Sequence, residues 1–269
     1  MTQNETPKNY GFVFEEILPD EHYILGSSLT TLPVIPIQPT GQWDAFIPAD
    51  EIQRNEKYET YNCTSFGTLN ALEFLFKRLF NETKDWSERY VGIAAGTRPP
   101  GNSPHKVIET IRKDCGLLDD IILPMSKANT VEEYYAPDPL PWFMKENGRK
   151  FISDYIIGHE WVFNGGTLLE KQTKIKEALK YSPLGVSVYA WEKQGDYYVK
   201  PKGVADNHWT VLFGYAEGQY WQIFDSYDST IKHLAWDYEF GQAKRYHIEV
   251  NTYKGFWRII INYLKEFIK

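Results

Sequence analysis

The chain has 269 residues and a net charge of −7 at pH 7, and hydrophobic residues make up 42% and aromatic residues 16% of it. This composition excludes an intrinsically disordered chain and a small disulfide-stapled scaffold, and the length suits one large domain or two lobes sharing a cleft. The acidic balance argues against a nucleic-acid partner, which needs a basic surface. We therefore expect a globular protein with an aromatic core.

The N-terminal segment MTQNETPKNYGF has neither the basic region nor the apolar region of a secretory signal. The chain contains two cysteines, Cys63 and Cys115, fewer than a secreted protein of this size usually carries. Its longest apolar runs, such as FWRIII at 256–261, fall short of the roughly 18 residues that cross a bilayer. The sequence predicts a cytoplasmic protein with free thiols and no membrane partner.

The first part of the chain changes character at Cys63. Residues 1–42 contain several prolines and predict an extended N-terminal arm of edge strands or surface-wrapping segments. From Cys63 to Phe80, apolar residues recur every three or four positions. This spacing predicts a buried helix that begins at Cys63.

Two later helices are predicted from their capping residues. One begins with Ser103 as N-cap and Pro104 at the first helical position, and its apolar face includes Cys115. We therefore interpret Cys115 as a structural residue. The other begins at Thr167, whose capping-box partner is Glu170.

After this helix the sequence becomes strand-like. The segments GVSVYAW, HWTVLFGYA, QYWQIFDSY and KRYHIEV are short, β-branched or aromatic, and separated by turn residues. The terminal sequence GFWRIIINYLKEFIK predicts a short apolar helix that packs on the body or docks a protein partner. We predict four segments: an arm at 1–42, a helical lobe at 43–165, a β lobe at 166–250 and a helical tail at 251–269.

Three residues have the chemistry of a cysteine nucleophile and its partners. Cys63 begins a predicted helix, where the dipole and unpaired N–H groups lower a thiol pKa, although most lone cysteines are small buried hydrophobes. His208 begins a predicted strand after a polar loop, and Asp225 follows 17 residues later on the next strand. Adjacent antiparallel strands would bring Asp225 beside the imidazole, where a carboxylate fixes the tautomer of a catalytic base. The alternative is a turn-capping histidine and a turn-forming aspartate.

Together these segments resemble the papain-like cysteine peptidases. The run C-T-S-F-G-T-L-N-A-L-E from Cys63 is similar to the nucleophile helix of that family, and WSER at 86–89 resembles the segment that follows it. NHWTVLFGYAEGQYWQIFDSY is similar to the family's histidine strand, hairpin and orienting residue. On this resemblance, which spans residues 43–250, Asp225 stands for the usual Asn and Tyr227 for the usual Trp.

The chain also departs from the family pattern around the nucleophile. The sequence before and after Cys63 lacks both the neighbouring disulfide cysteine and the aromatic residue that usually follows the nucleophile. The family's oxyanion-hole glutamine would fall at Lys57. Gln53 is our first candidate for that donor, with Lys57 and Thr60 as alternatives, and the Cys63 N–H as the second donor.

The resemblance implies an α+β, two-lobe papain-like fold with the cleft between a helical lobe and an antiparallel β lobe. It implies a cysteine-type peptidase, a hydrolase acting on a peptide or protein substrate through a Cys63–His208–Asp225 triad, without a metal or an organic cofactor. Two alternatives stay open: a cysteine amidase acting on peptidoglycan peptides, and a catalytically silent papain-like binding or assembly protein. Four aromatic residues are candidates for the cleft lining or the core: Trp191, Trp209, Tyr215 and Tyr227.

Overall fold

A computed structural model describes residues 9–27, 32, 35–49, 53, 57–228 and 230–252. The predicted C-terminal helix lies outside the described residues from position 253 onward, so that helix and its protein partner stay predictions. Within the described ranges, no helix has the length and apolar character needed to cross a membrane. Cys63 and Cys115 are both buried free thiols.

The described helices lie mainly in the first two thirds of the chain. A π-helical turn, Ile111–Cys115, extends the third helix as far as Gly116, which has a φ of 66°. Short 3₁₀ turns lie at Asp44–Phe46, Asp120–Ile122 and Met125–Lys127. The α-helices are α1, Cys63–Phe80; α2, Glu88–Ala94; α3, Pro104–Thr110; α4, Val131–Tyr134; α5, Trp142–Asp154; and α6, Leu168–Leu179.

The helix starts predicted from the sequence are confirmed. Helix α1 begins at Cys63 and is buried from there to Phe76. The Ser103 side chain caps α3 by accepting a hydrogen bond from the backbone of its third residue. Thr167 and Glu170 form the predicted capping box of α6, with both reciprocal hydrogen bonds present. Capping side chains therefore set the starts of α3 and α6, whereas Asn62 at the N-cap of α1 makes no side-chain capping hydrogen bond.

The strands form one sheet of eight in the order β1-β8-β2-β5-β6-β7-β4-β3. Neighbouring strands are antiparallel except for β4 and β7, which pair in parallel. The four predicted strands correspond to β2, β5, β6 and β8. The strands are β1, Tyr155–Trp161; β2, Leu184–Val188; β3, Glu192–Gln194; β4, Tyr197–Val199; β5, His208–Ala216; β6, Tyr220–Asp225; β7, Thr230–Ala235; and β8, Ala243–Val250.

Helix α1 packs closely on β5, and a glycine permits the approach. A Cβ atom on Gly67 would lie 2.8 Å from Cδ1 of Trp209, and one on Gly185 of β2 would lie 2.5 Å from the same indole. Trp209 is fully buried between the helix and the sheet. The close packing places Cys63, at the start of α1, against the strand that carries His208.

The fold is α+β, as predicted, with helices packed against a mainly antiparallel sheet. Strand β1 pairs with β8 along its whole length although it precedes residue 166. The predicted division into a helical lobe at 43–165 and a β lobe at 166–250 stays a prediction. The segment predicted as the helical lobe, residues 43–165, contributes the edge strand β1 to the sheet.

Candidate active site

Cys63 is the first residue of α1, and its side chain has no exposed surface. The preceding Asn62 is buried and anchors this helix start to its surroundings. Nδ2 of Asn62 donates to the Glu88 carbonyl oxygen at 2.9 Å and to the Tyr134 hydroxyl at 2.8 Å, and Oδ1 accepts from the Ser65 hydroxyl at 2.7 Å. These bonds hold the nucleophile candidate in place.

His208 and Asp225 meet on adjacent antiparallel strands, β5 and β6. Both side chains are fully buried, and Nε2 of His208 lies 2.7 Å from Oδ1 of Asp225. A carboxylate only accepts hydrogen bonds, so Nε2 carries the proton and donates it. Nδ1 is then the basic nitrogen of the neutral ring. It has no hydrogen-bond partner among the described residues.

The Cys63 thiol lies beside the histidine strand, since it accepts a hydrogen bond from the backbone of Trp209. Burial raises the pKa of this thiol well above its usual value, and the negative charges of Glu59 and Asp225 add to that effect. The expectation of a lowered pKa at the helix start is therefore wrong for this closed form, because desolvation outweighs the helix end. Nδ1 of the His208 ring accepts no hydrogen bond from Cys63.

Gln53 lies at the site, beside the end of β6. Its backbone N–H donates to the Ser226 carbonyl at 2.7 Å, and its side chain is fully buried. The side-chain amide Nε2 donates to the Tyr10 carbonyl oxygen at 2.7 Å and to Oε1 of Glu59 at 3.0 Å. The structure thus places a directed amide N–H donor next to the residue that follows Asp225.

The two alternative oxyanion donors have other partners. Nζ of Lys57 donates to Oδ1 of Asn129 at 2.8 Å on the surface. The Thr60 hydroxyl donates to the Gln53 carbonyl at 2.9 Å. Of the three candidates, Gln53 is the one whose side-chain donor binds a carbonyl oxygen of the N-terminal arm, that of Tyr10.

The backbone of the N-terminal arm crosses the site. The Tyr10 N–H donates to the carbonyl of Asn207, the residue before His208, at 2.9 Å. The Asn102 N–H donates to the Gly11 carbonyl at 3.0 Å, and the Val13 N–H donates to the Asn102 carbonyl at 3.0 Å. The arm is therefore hydrogen-bonded both to the strand that carries the histidine and to the loop before α3.

Side chains of the same arm cover the nucleophile candidate. The Tyr10 ring stands edge-on to the His208 ring at 5.7 Å between centroids. Phe12 stacks on Trp209 at 5.9 Å and belongs to the buried apolar cluster that includes Cys63. The predicted arm therefore does more than wrap the surface, because it closes the site. Pairs of residues about 200 positions apart make these contacts, and local sequence patterns carry no signal for them.

Solved structures with a similar fold are cysteine proteases. Procathepsin L 3 from the larval midgut of Tenebrio molitor matches with a TM-score of 0.56 and 14% identity, over 89% of this chain and 76% of that chain. The bromelain protease of Ananas comosus, in complex with the E64 inhibitor, matches with a TM-score of 0.54 and 17% identity, over 77% and 98%. The cysteine protease and lectin-like domains of Cwp84 from Clostridium difficile match with a TM-score of 0.60 and 15% identity, over 92% and 57%.

The chain has the papain-like fold. The expected α+β, two-lobe papain-like fold is therefore confirmed by these likenesses, which at such identities concern the fold. No protein-family model and no curated protein sequence matches the chain. The roles of individual residues are argued from the geometry of the candidate site alone.

Lys232, which the sequence analysis did not identify, forms an ion pair with the Asp225 carboxylate. Nζ of Lys232, on β7, lies 2.8 Å from Oδ2 of Asp225, and its side chain is 2% exposed. Although burial opposes ionisation, the neighbouring His208 and Lys232 lower the pKa of Asp225 below its usual value. The signal available in the sequence was the alternation of TIKHLA, which places Lys232 and Leu234 on one face of the strand.

Aromatic rings surround the imidazole in the candidate site. Trp191 lies 5.7 Å and Tyr227 6.2 Å from the His208 ring between centroids. Tyr215 instead packs against Trp221, away from the triad candidates. The predicted cleft aromatics thus divide between the site and the core.

One group of side chains in the described ranges has the composition of a metal site. Glu15, His22 and His105 each offer a ligand atom, and these atoms lie within 4.8 Å of one another. Glu15 already accepts a hydrogen bond from Ser103, and Nδ1 of His22 accepts the Leu18 N–H at 3.2 Å. These bonds occupy Glu15 and His22 within the protein, and the group lies apart from the triad candidates.

Proposed function

We propose that the chain is a cysteine-type peptidase in which Cys63 is the nucleophile, His208 the general base and acid, and Asp225 the orienting carboxylate. The observation that carries the proposal is the 2.7 Å bond between His208 Nε2 and Asp225 Oδ1, which leaves Nδ1 as the basic nitrogen. The same strand touches the thiol through the Trp209 backbone. The fold shared with cysteine proteases supports a peptide or protein substrate.

In the first step, the Cys63 proton moves to Nδ1 of His208, and the resulting imidazolium is stabilised by Asp225. Sγ then attacks the carbonyl carbon of the scissile peptide bond. The negative charge moves to the carbonyl oxygen. The Gln53 Nε2–H and the Cys63 backbone N–H are the donors proposed for this oxyanion.

In the second step, Nδ1–H of His208 protonates the leaving nitrogen, the C–N bond breaks, and a thioester forms on Cys63. His208, neutral again, takes a proton from water as the water attacks the thioester carbon. The C–S bond breaks, and the thiolate–imidazolium pair is restored. Each proton transfer uses a group at the site, so the reaction calls on no metal and no organic cofactor.

The closed arm must move before this reaction can begin. Cys63 and His208 have no exposed surface, and the Tyr10 carbonyl occupies the Gln53 donor. Displacing residues 10–12 would rehydrate the thiol and remove the main cause of its raised pKa. We therefore propose that the structure is an arm-closed, inactive form.

The pH dependence of Cys63 alkylation by iodoacetamide tests this function. The full chain is used with Cys115→Ser, which removes the second thiol, and Gly11→Ala, which loosens the arm. We expect alkylation well below the free-thiol pKa of about 8.5, and we expect that low-pH reactivity to vanish in His208→Ala. Near-UV circular dichroism of the tryptophans checks that each variant is folded.

The same variants separate the alternatives. Cleavage of a peptide library that is lost in Cys63→Ala supports the peptidase, whereas loss of turbidity from bacterial cell walls without peptide cleavage supports the peptidoglycan amidase. If folded, arm-loosened protein alkylates like an ordinary thiol with and without His208, the catalytic proposal fails. The chain is then a papain-like binding protein.

A further inference from the structure

The carboxylate of Asp225 has a different partner on each of its two oxygen atoms. Oδ1 accepts from His208 at 2.7 Å, and Oδ2 lies 2.8 Å from Nζ of Lys232. All three side chains are buried, with exposed fractions of 0 to 2%. The proposed triad therefore continues into a fourth ionisable residue.

Strand pairing explains how Lys232 reaches this position. Strands β6 and β7 are antiparallel, with Lys232 opposite Ile223 and Asp225 opposite Thr230. The ammonium group also lies 5.1 Å from the Trp191 ring centroid and 5.8 Å from that of Tyr198. Cation–π contacts of this kind favour a charged lysine where water is excluded.

The positive charge of Lys232 can balance the negative charge of Asp225. The resemblance to papain-like peptidases places a neutral Asn where this chain has Asp225. A carboxylate at that buried position adds a full negative charge beside the base, and a buried charge is costly unless it is paired. The ammonium of Lys232 supplies the opposite charge on the far side of the carboxylate.

We propose that Lys232 is a positioning residue that offsets the charge of Asp225 and so sets the pH range in which the Cys63–His208 pair is reactive. The inference rests on the proposed function. It predicts that Asp225 and Lys232 are a matched pair, together equivalent in charge to a neutral orienting residue. Neither is expected to work well without the other.

The other groups around the pair fix the sign of the effect. Asp228 also binds Lys232, Glu59 lies near Cys63, and the rings of Tyr10 and Tyr227 face His208. Removing the lysine charge leaves the surroundings more negative, which disfavours the thiolate. The acid limb of the alkylation profile should then move to higher pH. Removing the aspartate charge leaves them more positive and should move that limb to lower pH.

The test compares Lys232→Met, Asp225→Asn and the double variant in the full chain carrying Gly11→Ala and Cys115→Ser. Alkylation rates are measured from pH 4 to pH 10. We expect shifts of about 1 pH unit in opposite directions for the two single variants, the size usual for a nearby charge. The acid limb of the double variant should lie within a few tenths of a pH unit of the acid limb of the parent.

The outcomes distinguish this inference from the proposed function. A parent without His208-dependent reactivity at low pH contradicts the proposed function itself. A parent with that reactivity, together with a folded Lys232→Met variant of unchanged profile, overturns the role of Lys232 alone. If Lys232→Met does not fold, the double variant decides: a parent-like profile supports the matched pair, and a displaced profile contradicts it.

Discussion

The carbonyl oxygen of Tyr10 accepts a 2.7 Å hydrogen bond from Nε2 of Gln53. The N–H of the same tyrosine donates to Asn207, directly before His208. One residue of the arm therefore occupies both the donor proposed for the oxyanion and a backbone acceptor beside the proposed base. A peptide substrate could use these groups only after the arm has left them.

Gly11→Ala should open the site. A Cβ atom at Gly11, whose φ is 113°, would lie 2.2 Å from the Tyr61 carbonyl oxygen, which belongs to the rigid backbone before Cys63. Overpacking of this kind costs about 1–3 kcal/mol, so the population with the arm displaced should rise about 5- to 150-fold. The rate of Cys63 alkylation at fixed pH, measured in Cys115→Ser, should rise by the same factor.

Gly26→Ala is the matched control for that experiment. Gly26 also lies in the arm and has a φ of 76°, yet among the described residues no atom beyond its chain neighbours lies within 4 Å of the Cβ position. Its substitution strains the backbone locally and leaves the contacts of residues 10–12 intact. Equal alkylation rates in Gly11→Ala, Gly26→Ala and the parent would show that the arm does not control access to Cys63.

Gln53→Ala should separate alkylation from catalysis. Loss of one oxyanion donor lowers the rate of acyl transfer by about a hundredfold to a thousandfold. Alkylation by iodoacetamide forms no oxyanion, so its rate should fall much less or rise as the Tyr10 contact is lost. Both rates are measured in the Gly11→Ala background. A proportional loss of both would indicate that Gln53 supports the structure of the site and does not bind an oxyanion.

Stability should fall with acid because two histidines, the buried His159 and the partly exposed His105, have lowered pKa values in the folded chain. Burial, followed by the charge of Lys244, lowers the pKa of His105 to about 4 and that of His159 to about 3. Between these values and the unfolded value of about 6.5, the unfolded chain binds more protons. The free energy of unfolding should therefore decrease steadily as the pH falls from about 6.5 to 4.

Urea unfolding at pH 7, 6, 5 and 4 measures this slope. In His105→Gln, the decrease in the free energy of unfolding between pH 6.5 and 4 should be smaller by about 1–2 kcal/mol. This value is discounted for the partial exposure of the His105 side chain. Identical slopes in the parent and His105→Gln would mean that His105 is protonated equally in the folded and unfolded states.

The sequence predicts the parts of this structure whose causes are local. The capping residues Ser103 and Thr167 and the apolar periodicity after Cys63 predict helix starts, and short β-branched or aromatic runs between turn residues predict β5 and β6. The meeting of His208 and Asp225 follows from adjacent antiparallel strands. Such features depend on residues within one or two elements.

Other features depend on partners that no local pattern names. Strand β1 follows α5 directly, without a turn signal, and lies inside the segment predicted as a helical lobe at 43–165. The alternation in β7 turns Lys232 inward, but its pairing with Asp225 requires the β6–β7 register. Burial raises the pKa of Cys63, and the buried cluster that contains it includes Phe12, about 50 residues earlier in the chain. This desolvation outweighs the lowered thiol pKa expected at a helix start.

Gly67→Ala should destabilise the fold although alanine is the better helix former. Helix propensity alone would favour alanine by about 1 kcal/mol. The added methyl group, however, would lie 2.8 Å from Cδ1 of Trp209 and 3.2 Å from the Trp209 carbonyl oxygen. Overpacking against a buried indole costs about 1–3 kcal/mol, so we expect a net loss of stability of up to about 2 kcal/mol.

Urea unfolding measures this loss of stability in Gly67→Ala. Lys174→Ala, on the exposed face of α6, is the control and is expected to change stability by less than about 0.5 kcal/mol. A gain in stability for Gly67→Ala would show that α1 can move away from β5, and the proposed placement of Cys63 beside His208 would lose its structural basis.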